Sequence, residues 1–113
     1  MTINECYEIL GKCVFNSIEE PWEKAVLNIQ KLDHSVSFNG EYHDTSGNEK
    51  DIEVQIDIAA IKATKELHKI TTEGKEDKWN RAKFHVTSSG KFNMEFIWDD
   101  DLNEEIKRLN QES

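Results

Sequence analysis

Apolar and polar residues alternate most regularly between residues 78 and 101, on either side of a turn. Alternation is typical of half-buried strands, and its apolar positions are Phe84, Val86, Phe92, Met94, Phe96 and Trp98. A three-residue loop that ends at Gly90 pairs Val86 with Phe92 and Phe84 with Met94, so the apolar side chains share one face. A two-residue loop would place Phe84 opposite Glu95 and break that face. The sequence therefore predicts a β-hairpin with a three-residue loop.

Helical spacing replaces alternation in three segments. Residues 3–19 carry an apolar stripe, begin with the capping box of Thr2 and Glu5, and precede Pro21, which ends a helix. Residues 58–73 carry a second stripe, which Gly74 can terminate. Residues 101–111 follow three aspartates, and acidic residues favour a helix start. The pattern predicts three helices, of which the third is short.

Residues 22–42 alternate again and predict two strands. A tight turn at Asp33-His34 keeps one continuous apolar face, because it pairs Ile29 with Phe38 and Ala25 with Tyr42. The dipeptide Asn39-Gly40 is the stronger turn signal when taken alone. We favour the first turn, and we expect Gly40 to lie at a bulge or a close backbone contact.

A third strand is predicted after a loop over residues 44–50, from the alternation of Ile52, Val54, Ile56 and Ile58. The period changes from strand to helix near Asp57. The resulting order, α-β-β-(β)-α-β-β-α, predicts an α+β fold in which helices cover an antiparallel sheet of four to five strands. A chain of 113 residues corresponds to a single domain, 1–113.

The chain is acidic, with a net charge of −9 and a pI near 4.9. This charge argues against direct binding to nucleic acid or to an anionic membrane, and it permits a basic protein partner. Solubility alone also explains an acidic protein. The N-terminus lacks the basic and apolar regions of a secretory signal, and no apolar run approaches the roughly 20 residues that span a bilayer. We therefore expect a cytoplasmic location, with Cys6 and Cys13 reduced.

The sequence shows no catalytic, cofactor-binding or metal-binding constellation. The histidines lie in separate predicted elements without ligand spacing; they are His34, His43, His68 and His85. No glycine-rich phosphate loop is present. His85 with Arg81 and Lys83 suggests an RNase-like cluster, but a solvated strand face explains these residues more simply. We predict no enzyme activity, no cofactor and no metal.

One group of candidate partner-binding residues lies on the back of the predicted hairpin. Trp79 and Arg81 are expected to point away from its apolar face, with Ile97 opposite Arg81. A mixture of aromatic, cationic and aliphatic groups is typical of protein interfaces. A helix or loop that covers these three residues would explain the mixture equally well.

Clustered carboxylates form the second group of candidates. They are Asp99, Asp100, Asp101 and Glu104 after the hairpin, and Asp44, Glu49 and Asp51 before and within the predicted third strand. The aspartate triplet could hold a divalent cation, although capping a helix is the simpler role. Against a basic partner, such carboxylates can occupy phosphate sites and speed association.

A longer pattern joins several of these features. It consists of Trp79, the run Gly90-Lys91-Phe92, Phe96 and the run Trp98-Asp99-Asp100, preceded near the N-terminus by an amphipathic helix and the run Pro21-Trp22-Glu23-Lys24. This pattern resembles the YezG-like immunity proteins over about residues 3–38 and 76–101. Residues 39–75 depart from the family, which tends to carry a longer acidic helical stretch there.

The resemblance implies the antitoxin of a polymorphic or contact-dependent growth inhibition system. Such a protein binds the toxic C-terminal domain, often a nuclease, in the cytosol and blocks it. The resemblance also implies that Trp79, Gly90, Phe92 and Phe96 determine the fold, and it carries over no binding residue. We therefore predict a one-to-one complex with a cognate toxin domain, a basic nuclease, whose active site is occluded. The alternatives are a non-catalytic adaptor or secretion chaperone, and a small RNase that uses His85, Arg81 and Lys83.

Overall fold

The computed structural model describes residues 1–32, 35–55, 57–74 and 78–112. The elements follow in the order helix, three strands, helix, two strands, helix, which confirms the predicted order and the α+β class. They are α1 (Ile3–Ser17), β1 (Trp22–Lys31), β2 (Val36–Asp44), β3 (Glu49–Ile52), α2 (Ile58–Thr72), β4 (Arg81–Thr87), β5 (Phe92–Ile97) and α3 (Asp100–Glu112). No helix within the described ranges is both long and apolar enough to cross a membrane.

The five strands form one antiparallel sheet in the order β3-β2-β1-β4-β5. Helices α1 and α2 pack against each other and bury their apolar stripes against one face of the sheet. The centre of this core is formed by Leu10, Leu67, Leu27 and Phe84, all with no exposed surface. Because burying apolar side chains is the main favourable contribution to folding, this layer holds the fold together.

The register between β1 and β2 confirms the predicted apolar face. Ala25 pairs with Tyr42 and Ile29 pairs with Phe38. The predicted turn residues, Asp33 and His34, lie outside the described residues. The competing turn at residues 39–40 is wrong, because both residues lie within β2.

The hairpin of β4 and β5 has the predicted three-residue loop. Val86 pairs with Phe92 and Phe84 with Met94. The Thr87 N–H donates to the Lys91 carbonyl at 2.8 Å and closes the loop. Gly90 has a φ of 96°, a left-handed conformation that glycine adopts without steric cost.

Helix α1 begins at its predicted capping box, and α2 begins at the predicted residue, Ile58. In α1, the Thr2 hydroxyl accepts from Glu5 N–H, and the Glu5 carboxylate accepts from Thr2 N–H. In α2, the Asp57 carboxylate accepts from Ala60 N–H at 2.7 Å. Helix α1 ends at Ser17, two residues before the predicted end, where the Ser17 hydroxyl donates to the Cys13 carbonyl and accepts from Gln55 N–H.

The third strand lies earlier than predicted. Strand β3 covers Glu49–Ile52, whereas Ile58 opens α2 and is 71% exposed. The reason is the loop before β3, in which the Asp44 carboxylate accepts from the N–H groups of Ser46 and Asn48, both at 2.9 Å. This tight loop returns the chain at Glu49, so the strand is complete before the alternating isoleucines end.

The apolar face of the hairpin is covered only in part. Phe84 and Val86 of β4 are buried, but Phe92, Phe96 and Trp98 are 52%, 40% and 41% exposed. A helix is about 10 Å in diameter and strands are spaced about 4.8 Å apart. Two helices side by side therefore cover roughly four strands, and the fifth strand, β5, is left at the margin.

Gly40 lies at the close contact that its position in the pattern predicted. A Cβ atom there would lie 2.9 Å from the Val26 carbonyl oxygen and 3.0 Å from Ile52 Cδ1. The first of these atoms belongs to the backbone of the central strand, which cannot rotate away. Glycine at this position allows β1, β2 and β3 to lie together.

We expect Gly40→Ala to destabilise the protein by about 1–3 kcal/mol, the usual cost of overpacking. Gly11→Ala is the matched control, because no atom lies within 4 Å of a Cβ built at Gly11 in α1. Alanine should stabilise that helix by about 0.5–1 kcal/mol. Urea denaturation of both variants measures the two changes, and equal midpoints would contradict this account of Gly40.

Candidate partner-binding surface

The face of the sheet opposite α1 and α2 is open to solvent. We call it the outer face, and the register places there Lys24, Val26, Asn28, Gln30, Ser37, Asn39, Glu41, His43, Glu49, Asp51, Arg81, Lys83, His85, Thr87, Asn93, Glu95 and Ile97. These positions alternate with the core positions of the same strands. None of these positions is buried, so the outer face offers a broad polar surface to a partner.

Three carboxylates are crowded at one side of the outer face. Glu41 of β2 is paired with Asp51 of β3, and Glu49 is its diagonal neighbour. The side-chain hydrogen bond with Glu49 and the negative charge of Glu49 raise the pKa of Glu41 above its ordinary value, and the positive charge of Lys83 opposes that rise. We call Glu41, Glu49 and Asp51 the acidic patch. Like charges placed together destabilise a sheet, so the needs of folding do not explain the patch.

Asp99 has a structural role at the other side of the sheet. Its Oδ2 accepts from Arg81 Nε at 2.6 Å, and its Oδ1 accepts from Leu102 N–H at 3.2 Å. The Asn80 side chain donates to the Asp99 carbonyl and accepts from Asp99 N–H, both at 2.8 Å. The hydrogen bond from Arg81 is the largest cause of the lowered pKa of Asp99. This junction joins β4 to the start of α3, which agrees with the capping role considered for the triplet.

Trp79 does not lie on the outer face, contrary to the sequence expectation. It is only 3% exposed, and its Nε1 donates to the Thr71 hydroxyl at 2.8 Å. Its ring packs against Phe96 and His68, with centroids 5.0 Å and 4.7 Å apart. The prediction extended the alternation of β4 too far, because the strand begins at Arg81 and Asn80 bends the chain before it. Trp79 therefore belongs to the core.

Arg81 and Ile97 are neighbours on the outer face, as predicted. They are paired in the register of β4 and β5, and both are half-buried. They line a small cavity of about 160 Å³ together with Asn28, Asn39 and Lys83. The Nε of Arg81 is already engaged with Asp99 Oδ2.

The other predicted carboxylates differ in how accessible they are. Asp44 is 8% exposed, and the N–H groups of Asn48 and Ser46 together with Lys50 lower its pKa, the first of them most. Asp100 accepts from Trp98 Nε1 at 2.6 Å. Asp101 and Glu104 of α3, and Glu49 and Asp51 of β3, are exposed. Asp44 thus serves its own loop, whereas the exposed four are available to a partner.

The described histidines are dispersed. His68 is partly buried with its Nε2 3.0 Å from the Trp79 carbonyl oxygen, and burial lowers its pKa. His85 Nε2 lies 3.2 Å from Glu95 Oε1. His85 and Arg81 are thus each turned toward a carboxylate and do not form one cluster with Lys83. Across the described ranges, no three His, Cys, Asp or Glu side chains are placed to hold a metal ion.

Sequence reasoning missed two features of the exposed surface, one on the outer face and one on the helix side of the sheet. Glu41 joins the acidic patch only through the β2–β3 register, which depends on where the preceding loop closes. The exposed aromatic groups Phe92 and Phe96 were expected within the core, because alternation alone does not distinguish an edge strand from a central one. The sequence predicted three helices and did not show that only α1 and α2 cover the sheet, which leaves the fifth strand at the margin.

Residues 59–113 match the family model described as immunity protein YezG-like. A comparison with curated proteins finds no match. The matched range includes nearly all of α2, and β4, β5 and α3, so it confirms the resemblance over residues 76–101. It also includes residues 59–75, where the sequence was expected to depart from the family. Residues 3–38 lie outside the matched range.

We expect Asp99→Asn to lower the thermal midpoint at pH 7, because it weakens the charged bond to Arg81. The pKa of Asp99 is lowered in the folded protein, so its contribution is present above the ordinary aspartate pKa and is lost as the pH falls through the folded value. The difference between the variant and the original protein should therefore shrink in acid. Asp101→Asn, in the same first turn of α3, is the control. A difference that stays constant down to pH 2.5 would refute the role of this ion pair.

Proposed function

We propose that this protein is an immunity protein that binds and neutralises the toxic C-terminal domain of a cognate bacterial toxin in the cytoplasm. The match of residues 59–113 to the YezG-like immunity proteins carries the proposal. We further propose that it acts without catalysis, by occluding the active site of the toxin in a complex with one chain per toxin domain. The dispersed histidines and the open outer face support a binding role.

A basic nuclease is the proposed target. The net charge of −9 favours encounter with a cationic surface. A nuclease must attract phosphate groups, and clustered carboxylates can occupy the same positions. Charge complementarity of this kind mainly raises the association rate and restricts the choice of partner.

The outer face is the proposed contact surface, and the acidic patch at one side of it is proposed to supply the negative charge that meets the toxin. Glu41, Glu49 and Asp51 repel one another in the free protein, as the raised pKa of Glu41 indicates. A cationic side chain of the toxin would relieve this repulsion on binding. Asp101 and Glu104 of α3 lie away from the patch and add to long-range attraction, while Asp44 and Asp99 keep their structural roles.

Co-expression with the toxin domain encoded beside this protein tests the proposal. We expect growth to be restored, a complex of equal stoichiometry by calorimetry, and loss of nuclease activity in the purified mixture. Binding without restored growth would favour an adaptor or secretion chaperone instead. Failure to bind would remove the immunity function.

We expect the triple variant Glu41→Gln, Glu49→Gln, Asp51→Asn to be more stable than the original protein at pH 7 and slower to bind the toxin. The pKa of Glu41 is raised, so its charge opposes folding from the ordinary glutamate pKa upward, and removing that charge raises the thermal midpoint. The association rate should fall most at low ionic strength.

The matched control is Glu8→Gln, Glu19→Gln, Glu73→Gln, which changes the net charge equally at exposed positions off the outer face. Stopped-flow association at two salt concentrations separates the two triple variants. If both slow association by the same factor, only net charge matters, and the acidic patch is not the contact.

A further inference from the structure

The two edges of the sheet are protected very differently. Strand β3 has four residues, and its exposed side chains are Glu49, Lys50 and Asp51. A short, charged strand is a usual protection against pairing with another chain. Strand β5 has six residues, no proline, and an apolar row on its helix side. This row is Phe92, Met94 and Phe96, so β5 lacks the protection that β3 has.

The phenylalanines of the apolar row pack against core residues on one side and are exposed to solvent on the other. The ring of Phe92 lies 5.4 Å from that of Tyr7 in α1, and the ring of Phe96 lies 5.0 Å from that of Trp79. Both phenylalanines still expose 52% and 40% of their surface. Fixed aromatic side chains lose little freedom on binding, which favours their use in an interface.

The backbone of β5 is available as well. The Thr87 N–H donates to the Lys91 carbonyl, and hydrogen-bonded and non-bonded pairs alternate along an antiparallel ladder. The N–H and carbonyl groups of Phe92, Met94 and Phe96 therefore point away from β4. In the described chain no strand pairs with this edge. Helix α3 lies at the end of the sheet, where Asn103 and Ile106 line a cavity with Leu32 and Trp79.

We propose that β5 pairs antiparallel with β5 of a second copy of this chain, around a two-fold axis at Met94. Met94 then faces Met94 of the other copy, and Phe92 faces Phe96. In this register the outward-pointing N–H and carbonyl groups of Phe92, Met94 and Phe96 all form hydrogen bonds with the second copy. The ten-stranded sheet that results has the short, charged β3 at both ends.

Side chains on the outer face select this register. Centring the pair on Met94 sets Asn93 opposite Glu95 and brings Lys91 diagonal to Glu95 of the other copy, within reach of a long side chain. Centring it on Glu95 would set two glutamates face to face. Centring it on Asn93 would leave Phe96 opposite Gly90, in the turn of the hairpin. The apolar row and the charged side chains of the outer face therefore both favour the register centred on Met94.

Sedimentation equilibrium of the full chain, without toxin, measures this association. We expect a dimer whose fraction rises with concentration. Met94→Asp should weaken it by at least about a hundredfold, because the two-fold axis places the two new like charges next to each other in the interface. Ile58→Asp is the matched control: Ile58 is 71% exposed on α2, and its substitution should leave the dimer unchanged. Circular dichroism confirms that both variants are folded.

Cysteine cross-linking tests the register. In a hydrogen-bonded antiparallel pair the Cα atoms lie about 5.5 Å apart, within the range that a disulfide spans. Met94→Cys should therefore give a covalent dimer under mild oxidation. Phe92→Cys should not, because the two copies of that position lie four residues out of register, about 14 Å apart. The native cysteines are buried.

A protein that stays monomeric at millimolar concentration, or a dimer that survives Met94→Asp, would overturn the proposal. So would a monomer in which β5 becomes protected from hydrogen exchange only when the toxin is added, which would assign the edge to a strand of the toxin. The association is measured without toxin, so its failure leaves the proposed immunity function intact. If the β5 dimer and the immunity function are both confirmed, the complex contains two copies of this chain and two of the toxin domain.

Discussion

The width of the helical layer is the constraint on which the rest of this structure depends. Helices α1 and α2 pack side by side and bury β1 and β4 at the centre of the sheet, where Leu27 and Phe84 lose all contact with water. The layer ends before β5, and no third helix extends it in the part of the chain that the structure describes. The limited width of this layer therefore leaves the apolar side chains of β5 partly exposed at one edge of the sheet.

Acidic residues in this protein serve two opposed purposes. Asp44 and Asp99 have lowered pKa values because hydrogen-bond donors surround their carboxylates, and each fixes a place where the chain changes direction. Glu41 has a raised pKa because another carboxylate lies beside it. The net charge alone does not separate these roles. A carboxylate that accepts hydrogen bonds from its own fold, as in Asp44 and Asp99, stabilises the protein. A carboxylate that lies beside another carboxylate, as in Glu41, is available to a partner.

The sequence predicted the order of elements, two strand registers, the cap of α1 and the loop of the β4–β5 hairpin, because each depends on residues close together in the chain. Thr2 with Glu5 and the turn residue Gly90 are local signals, and the registers follow from keeping Ile29, Phe38, Phe84 and Met94 on one face. The errors arose where tertiary structure decides. Trp79 was assigned to the outer face because the start of β4 was not visible in the pattern, and β3 was misplaced because Asp44 closes its loop. The exposure of Phe92 required knowing which strand lies at the edge.

The position of β1 at the middle of the sheet places the β2–β3 hairpin on one side of it and the β4–β5 hairpin on the other. The β4–β5 hairpin lies within the part of the chain that matches the immunity family, and the β2–β3 hairpin, with the acidic patch, lies outside it. Each hairpin keeps its own register and pairs with β1, not with the other hairpin. The charges that the β2–β3 hairpin carries on the outer face therefore lie apart from the register of β4 and β5. A graft of residues 36–52 that preserves Gly40 and Asp44 would carry a different charge pattern on an unchanged framework.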